Sequence, residues 1–238
     1  MPAETIEQPA MEGEGHMGTI VALTNSKGGV GKSTISVHLA AWTHGRGSRT
    51  ALVDADAQGA SSVWMREAVP ELTVFRLQTP DEILDQVPRL GLEFDLLVID
   101  GPAGLSEVTR AVLLVANLAL LPCGPSVLDL RAAQEAIRVV LQAQRIRSGP
   151  PQVVLVPNKL QVQYRLSREL LATLGSLEVP VTSGLRLRQA FADAAGQGSL
   201  VWQMGPSAAA ATTEITCLFG GLGIHEPKTH DEPSLARC

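Results

Sequence analysis

Thr19-Ile20-Val21-Ala22-Leu23-Thr24-Asn25-Ser26-Lys27-Gly28-Gly29-Val30-Gly31-Lys32-Ser33-Thr34 is the stretch that decides the fold. Its first six residues are a short apolar run fit for a buried parallel strand, and from Ser33 to His44 the apolar residues recur with helical spacing. Strand, glycine loop and helix therefore stand in the order an anion site requires. Gly28, Gly29 and Gly31 let the backbone turn its N–H groups inward, and the amino end of the helix adds partial positive charge at the same place. Read backwards from Gly31-Lys32-Ser33, the usual phosphate-loop template wants a glycine at position 26, where this chain has serine. The departure comes with a second lysine, so Lys27 and Lys32 share a loop that ordinarily carries one.

Two further apolar runs end in acids. Ala51-Leu52-Val53 leads into Asp54-Ala55-Asp56-Ala57-Gln58-Gly59, and Phe94-Asp95-Leu96-Leu97-Val98-Ile99 leads into Asp100-Gly101-Pro102. The carboxyl ends of parallel strands are where open α/β sheets build their ligand crevice. Asp54 and Asp56 are two residues apart, so continued strand geometry puts them on one face. Carboxylates placed there can hold the waters of a magnesium ion or orient an attacking water.

The pattern K-G-G-x-G-K-S-T, the D-x-D-x-Q-G segment and the apolar run ending D-x-P together resemble the deviant Walker A ATPases of the ParA/MinD family. The resemblance spans roughly residues 18–222 and takes in Pro125-Ser126 with Asp129-Leu130 and the segment Gly198-Ser199-Leu200-Val201-Trp202. It implies an ATP site in which Lys27, Gly28, Gly29, Val30, Gly31, Lys32, Ser33 and Thr34 cradle the phosphates, with Lys32 on the β- and γ-phosphates. Ser33 would give its hydroxyl to Mg²⁺, with Asp54 and Asp100 also at the metal. Asp56 would position the hydrolytic water. Lys27 would reach across a homodimer to the partner's nucleotide and stabilise charge on the transferring phosphoryl group, as an arginine finger does in other NTPases. Ala57 stands where the family usually has proline, which frees one φ angle and deletes no chemistry. Gly101-Pro102-Ala103-Gly104 resembles the switch that senses the γ-phosphate.

Base choice has its own argument. After Val153-Val154-Leu155-Val156 comes Pro157-Asn158-Lys159-Leu160-Gln161, close to the N-K-x-D with which many GTPases read guanine. An aspartate there accepts both the N1 and N2 protons of guanine, whereas Gln161 presents a single carbonyl. ATP is favoured over GTP, with Asn158 the candidate for the adenine edge and a turn residue at a strand end the alternative.

With 238 residues and 45% apolar content, the chain can bury one substantial core. Residues 1–17 carry Glu4, Glu7, Glu12 and Glu14 without Lys or Arg, so they lack the marks of a signal peptide and read as a disordered acidic tail, with Met11 and Met17 as alternative starts. Residues 18–223 read as the ATPase domain and 224–238 as a polar tail. The longest apolar stretch, Ala111 to Leu121, is broken by Asn117 and falls far short of the ~20 residues of a membrane-spanning helix, so a soluble, cytoplasmic protein is expected. Three scattered cysteines disfavour zinc sites and disulfides. Relatives in the superfamily hold an iron–sulfur cluster between subunits with paired cysteines, but Cys123 follows an apolar strand and is expected near the core.

Helices are expected near Pro80 to Leu90, Leu105 to Ala116, Ser126 to Arg147, Tyr164 to Leu174, Leu187 to Ala195 and Ser207 to Phe219, and strands at Leu118 to Leu121 and around Val153. The pattern predicts an α/β fold, a doubly wound and mostly parallel sheet flanked by helices.

Net charge is −5, which argues against a generally basic DNA-coating protein. Residues 131–188 nevertheless hold nine Lys or Arg against three Glu. Part of this set on one face would bind nucleic-acid phosphates without sequence preference. By resemblance, Arg186 and Arg188 lie where family members contact DNA. The function expected is an ATP-switched dimer, nucleoid-associated, that positions or segregates a cargo under stimulation by a ParB-like or cargo-adaptor partner with a basic amino-terminal peptide. Two alternatives remain. A MinD-like membrane switch needs a basic amphipathic helix that the acidic, proline-containing carboxyl terminus does not offer. A nucleotide-gated scaffold would bind a protein partner with little turnover.

Overall fold

The computed structural model describes residues 17–224 apart from 162 and 176. The terminal-tail readings lie outside the described residues.

Six strands form one all-parallel sheet: β1 (Thr19–Asn25), β2 (Thr50–Asp54), β3 (Thr73–Arg76), β4 (Leu96–Ala103), β5 (Leu118–Cys123) and β6 (Gln152–Pro157), in the order β3-β2-β4-β1-β5-β6. The helices are α1 (Lys32–His44), α2 (Ala60–Ala68), α3 (Pro80–Glu93), α4 (Glu107–Val115), α5 (Val127–Arg147), α6 (Arg165–Gly175), α7 (Gln189–Gly196) and α8 (Ala209–Gly220). The doubly wound fold expected from the sequence is the fold found.

Strand periodicity explains the layering. Val21, Leu23, Leu52, Val98 and Leu120 face one way, toward α1, α2 and α8, while Ile20, Ala22, Val53, Leu97 and Ile99 face the other, toward α3 and α4. Ala119, Leu121 and Cys123 continue that second face toward α5 and α6. Both faces are covered, so the central strands read as continuous apolar runs rather than alternating ones. Between β4 and β1 the backbones approach so closely that a Cβ on Gly101 would lie 2.7 Å from the carbonyl oxygen of Leu23.

Sheet order places the site. The chain leaves β1 through α1 toward β2 on one side, and leaves β4 through α4 toward β5 on the other. Connections that diverge in this way open a crevice at the strands' carboxyl ends. The loop 26–31, Asp54 and Asp100 all sit there, with Asp100 paired in register with both Asp54 and Leu23.

Candidate nucleotide site

Helix α1 begins without a side-chain cap. Thr79, Ser106 and Ser126 cap α3, α4 and α5 through their hydroxyls, whereas the cap position of α1 is Gly31, at φ 102°, and the first turn carries no acid. The leading N–H groups of an uncapped helix and the positive end of its dipole make an anion site.

Lys32, in the first turn of α1, is buried, with its Nζ 3.4 Å from the carbonyl oxygen of Lys27. Burial lowers its pKa against the opposing pull of Asp100 and then Asp56. An ammonium so placed, with one long hydrogen bond, is suited to a polyanionic partner. Lys27 is half-buried, and its Nζ donates to Asp129 Oδ1 at 2.6 Å. Asp129 Oδ2 accepts from the Ser126 hydroxyl at 2.6 Å, so Lys27 is tied to the start of α5. The sequence places Asp129 in the same motif set and gives no sign that Lys27 is its partner.

Asp100 is buried, which raises its pKa to about 6 despite the nearby Lys32 ammonium. Its Oδ1 accepts from Ser36 Oγ at 3.2 Å, but Oδ2 makes no hydrogen bond, and nor do the buried hydroxyls of Ser61 and Thr24. A buried carboxylate oxygen without a partner, beside Ser33 and at the foot of the loop, has the hard-oxygen chemistry that suits Mg²⁺ and its waters. The donor set fits the ion.

Asp54, expected at the metal, has both oxygens on backbone donors: Oδ1 accepts from Asp56 N at 3.1 Å and Oδ2 from Ser62 N at 2.8 Å. It organises the turn from β2 into α2. Asp56 is more exposed than Asp54, accepts from Gln58 N at 2.9 Å, and lies close enough to Lys32 to raise its pKa.

Asn158 is brought to the loop. Its amide donates to the Val30 carbonyl at 2.7 Å and its Oδ1 accepts from Lys159 N at 2.8 Å. Arg186 and Arg188, expected at DNA, share one acid. Arg188 forms a two-pronged pair with Glu214, at 2.6 and 3.0 Å, and Arg186 approaches the same carboxylate at 3.5 Å. Arg188 therefore pins the segment before α7 to α8, while Arg186 stays more than half exposed. Both arginines lie far from the loop in sequence and converge on one acid that local patterns cannot reveal. Cys123 is buried in the α5 core, where burial pushes its thiol up to about 12.

Residues 21–201 match the CobQ/CobB/MinD/ParA nucleotide-binding domain. The chain is 33% identical over 205 residues to "Maintenance of carboxysome distribution protein A" of Halothiobacillus neapolitanus, an alignment covering 82% of this chain and 92% of that protein. Among solved structures, a point variant of Cyanothece McdA in complex with ATP superposes with a TM-score of 0.75 at 14% identity, over 90% of this chain and 99% of that one. MinD of Aquifex aeolicus superposes with a TM-score of 0.67 at 17% identity, over 85% and 97%.

Proposed function

The chain belongs to the CobQ/CobB/MinD/ParA family of nucleotide-binding domains and is an ATP hydrolase, and from that premise we propose that it is an ATP-gated dimer that binds nonspecific DNA and spaces a protein-bounded cargo of the carboxysome kind. The observation that carries the cargo reading is the likeness to a carboxysome distribution protein over 82% of this chain and 92% of that protein.

The residues divide the work as follows. Lys32 and the N–H groups of the loop bind the phosphates, and Asp56 orients the attacking water. Ser33, with Asp100 close by, would hold Mg²⁺, which would supply Lewis-acid stabilisation of phosphoryl oxygens when bound. Lys27 acts in trans, so its pairing with Asp129 must break as two subunits close. The ATPase domain is taken as residues 18–223.

For DNA, Arg131, Arg138 and Arg145 replace Arg188 as the contacts. They are exposed, recur every seventh residue along α5, and so share one stripe with roughly 10 Å between neighbours. Arg186 joins them as an exposed cation. A partner that carries a basic peptide would then stimulate hydrolysis at the nucleoid.

Retention on nonspecific duplex at several salt concentrations, with ATP or ADP, tests this reading. Retention with ATP alone, falling steeply with salt and further weakened by Arg138→Ala, is expected. Equal retention with either nucleotide would refute the switch.

A further inference from the structure

Between β2 and α2 the chain turns through Asp56 to Gly59, and Gly59 N closes the turn by donating to the Asp56 carbonyl at 3.0 Å. Asp56 is thus the first residue of a four-residue β-turn and Ala57 the second, the place where a proline ring best fixes the backbone. Ala57 brings no ring, and two side chains from the end of β3 hold the turn instead. Gln78 Nε2 donates to the Asp56 carbonyl oxygen at 3.3 Å, and Arg76 Nη2 to the Ala57 carbonyl oxygen at 3.4 Å. The guanidinium lies flush against the turn: a Cβ on Gly59 would come within 2.9 Å of Arg76 Nη2 and 3.1 Å of its Cζ. This brace is anchored at its base. Arg76 pairs in register with Asp54, Leu77 N donates to the Asp54 carbonyl at 3.1 Å, and Gln78 N donates to Glu82 Oε2 at 2.8 Å.

Peptide geometry carries the hold to the carboxylate. In a trans peptide the C=O of one residue and the N–H of the next point in opposite directions. Fixing the Ala57 carbonyl toward Arg76 therefore aims the Gln58 N–H the other way, where it donates to Asp56 Oδ1 at 2.9 Å. Asp56 Oδ2 accepts from no donor among the described residues, so one oxygen is held and the other is open. Fixing the Asp56 carbonyl likewise turns away the Ala57 N–H, which donates to no acceptor among the described residues. A proline at 57 would forfeit no hydrogen bond.

We propose that Arg76 and Gln78 are positioning residues that hold the Asp56 carboxylate toward the attacking water, doing by hydrogen bonds what a proline at position 57 would do by ring closure. This rests on the reading of Asp56 as the group that orients that water. Both bonds are long and Arg76 is exposed, so each contributes at the low end of the usual range.

The test measures steady-state ATP hydrolysis by the full chain with nonspecific duplex, together with hydrogen exchange at the Gln58 and Gly59 amides. The parent is compared with Arg76→Ala, Gln78→Ala, the two combined, and the two combined with Ala57→Pro. Each single change should lower kcat about threefold and the pair on the order of tenfold, with KM for ATP within about twofold of the parent. Exchange at both amides should quicken in the double variant. Adding Ala57→Pro should restore most of kcat and slow the exchange again, a recovery that a general loss of stability would not show. Parental kcat in the double variant would overturn the proposal. So would a rise in KM without a fall in kcat, or a triple variant no faster than the double. If the double variant does not fold, Gln78→Ala with and without Ala57→Pro decides. A parent that hydrolyses no ATP, or Asp56→Ala at the parental rate, would overturn the reading of Asp56 itself, a result distinct from parental behaviour in the brace variants.

Discussion

Acidification should loosen the structure through His38, a residue of α1 on the same helix as Lys32. His38 is fully buried, with edge-on aromatic contacts to Trp64, Phe191 and Trp202. Val201 N donates to its Nε2 at 3.2 Å, so Nε2 is an acceptor and the ring proton sits on Nδ1, which donates to the Thr34 carbonyl at 2.7 Å. A second ring proton would face an N–H donor in an apolar cage. Burial accordingly lowers the pKa from 6.5 to about 4. The sign follows from linkage: below pH 6.5 the unfolded chain takes up a proton that the folded chain refuses until about pH 4. The contribution is therefore full above pH 6.5 and is lost progressively as pH falls toward 4. Between pH 7.5 and 5.0 the expected loss is about 2 kcal/mol of unfolding free energy. Asp100 works in the opposite sense, because its pKa is raised to about 6 and its protonation favours the folded state as pH falls. Urea unfolding of the parent and of His38→Gln at both pH values isolates the histidine, since Asp100 contributes equally to each. The parent should lose about 2 kcal/mol more than the variant over that interval. A difference below about 0.5 kcal/mol would refute the reasoning.

Gly101→Ala should lower the unfolding midpoint sharply or prevent folding, because the new methyl meets the backbone oxygen of Leu23 and neither strand can retreat; a midpoint within a few degrees of the parent would contradict this. Asp54→Asn replaces an acceptor of one of two backbone N–H groups with a donor, and chemical denaturation should register a loss of about 2 kcal/mol. Lys27→Ala removes a half-exposed ion pair, so stability should change by less than about 1 kcal/mol, while steady-state ATP hydrolysis should fall by on the order of 100-fold if the lysine acts across the dimer. Arg188→Ala leaves Glu214 facing Arg186 alone; it should cost about 1 kcal/mol of stability with little change in salt-dependent DNA retention, whereas Arg138→Ala should do the reverse.

Local pattern carries the architecture far. The run Thr19 to Thr24, the glycine loop and the acids after Val53 and Ile99 sit together at the crevice because strand ends in a parallel sheet must gather on one edge. The segment from Ala60 to Arg76 is not legible in the same way. β3 is four residues at the sheet edge with no buried member, so it leaves no apolar run, and α2 opens on small polar residues that look like loop. The site roles that sequence does not supply depend on partners distant along the chain. Asn158 has the composition of a base reader, and only folding reveals that its amide meets Val30, 128 positions away. Arg186 and Arg188 look like free cations until α8 delivers Glu214. Lys27 likewise acquires Asp129 only through the docking of α5.

The division of side chains between the two sheet faces also sets what light can report. Trp42, Trp64 and Trp202, all the tryptophans of the chain, lie in or against the layer of α1, α2 and α8, while Tyr164, the lone tyrosine, is exposed just before α6. Indole emission is thus a one-sided gauge, sensitive to the helix that follows the glycine loop and nearly blind to α3 through α6. With His38 edge-on to two of those indoles, quenching should track its protonation, and any rearrangement of α5 would need a fluorophore introduced on the dark side.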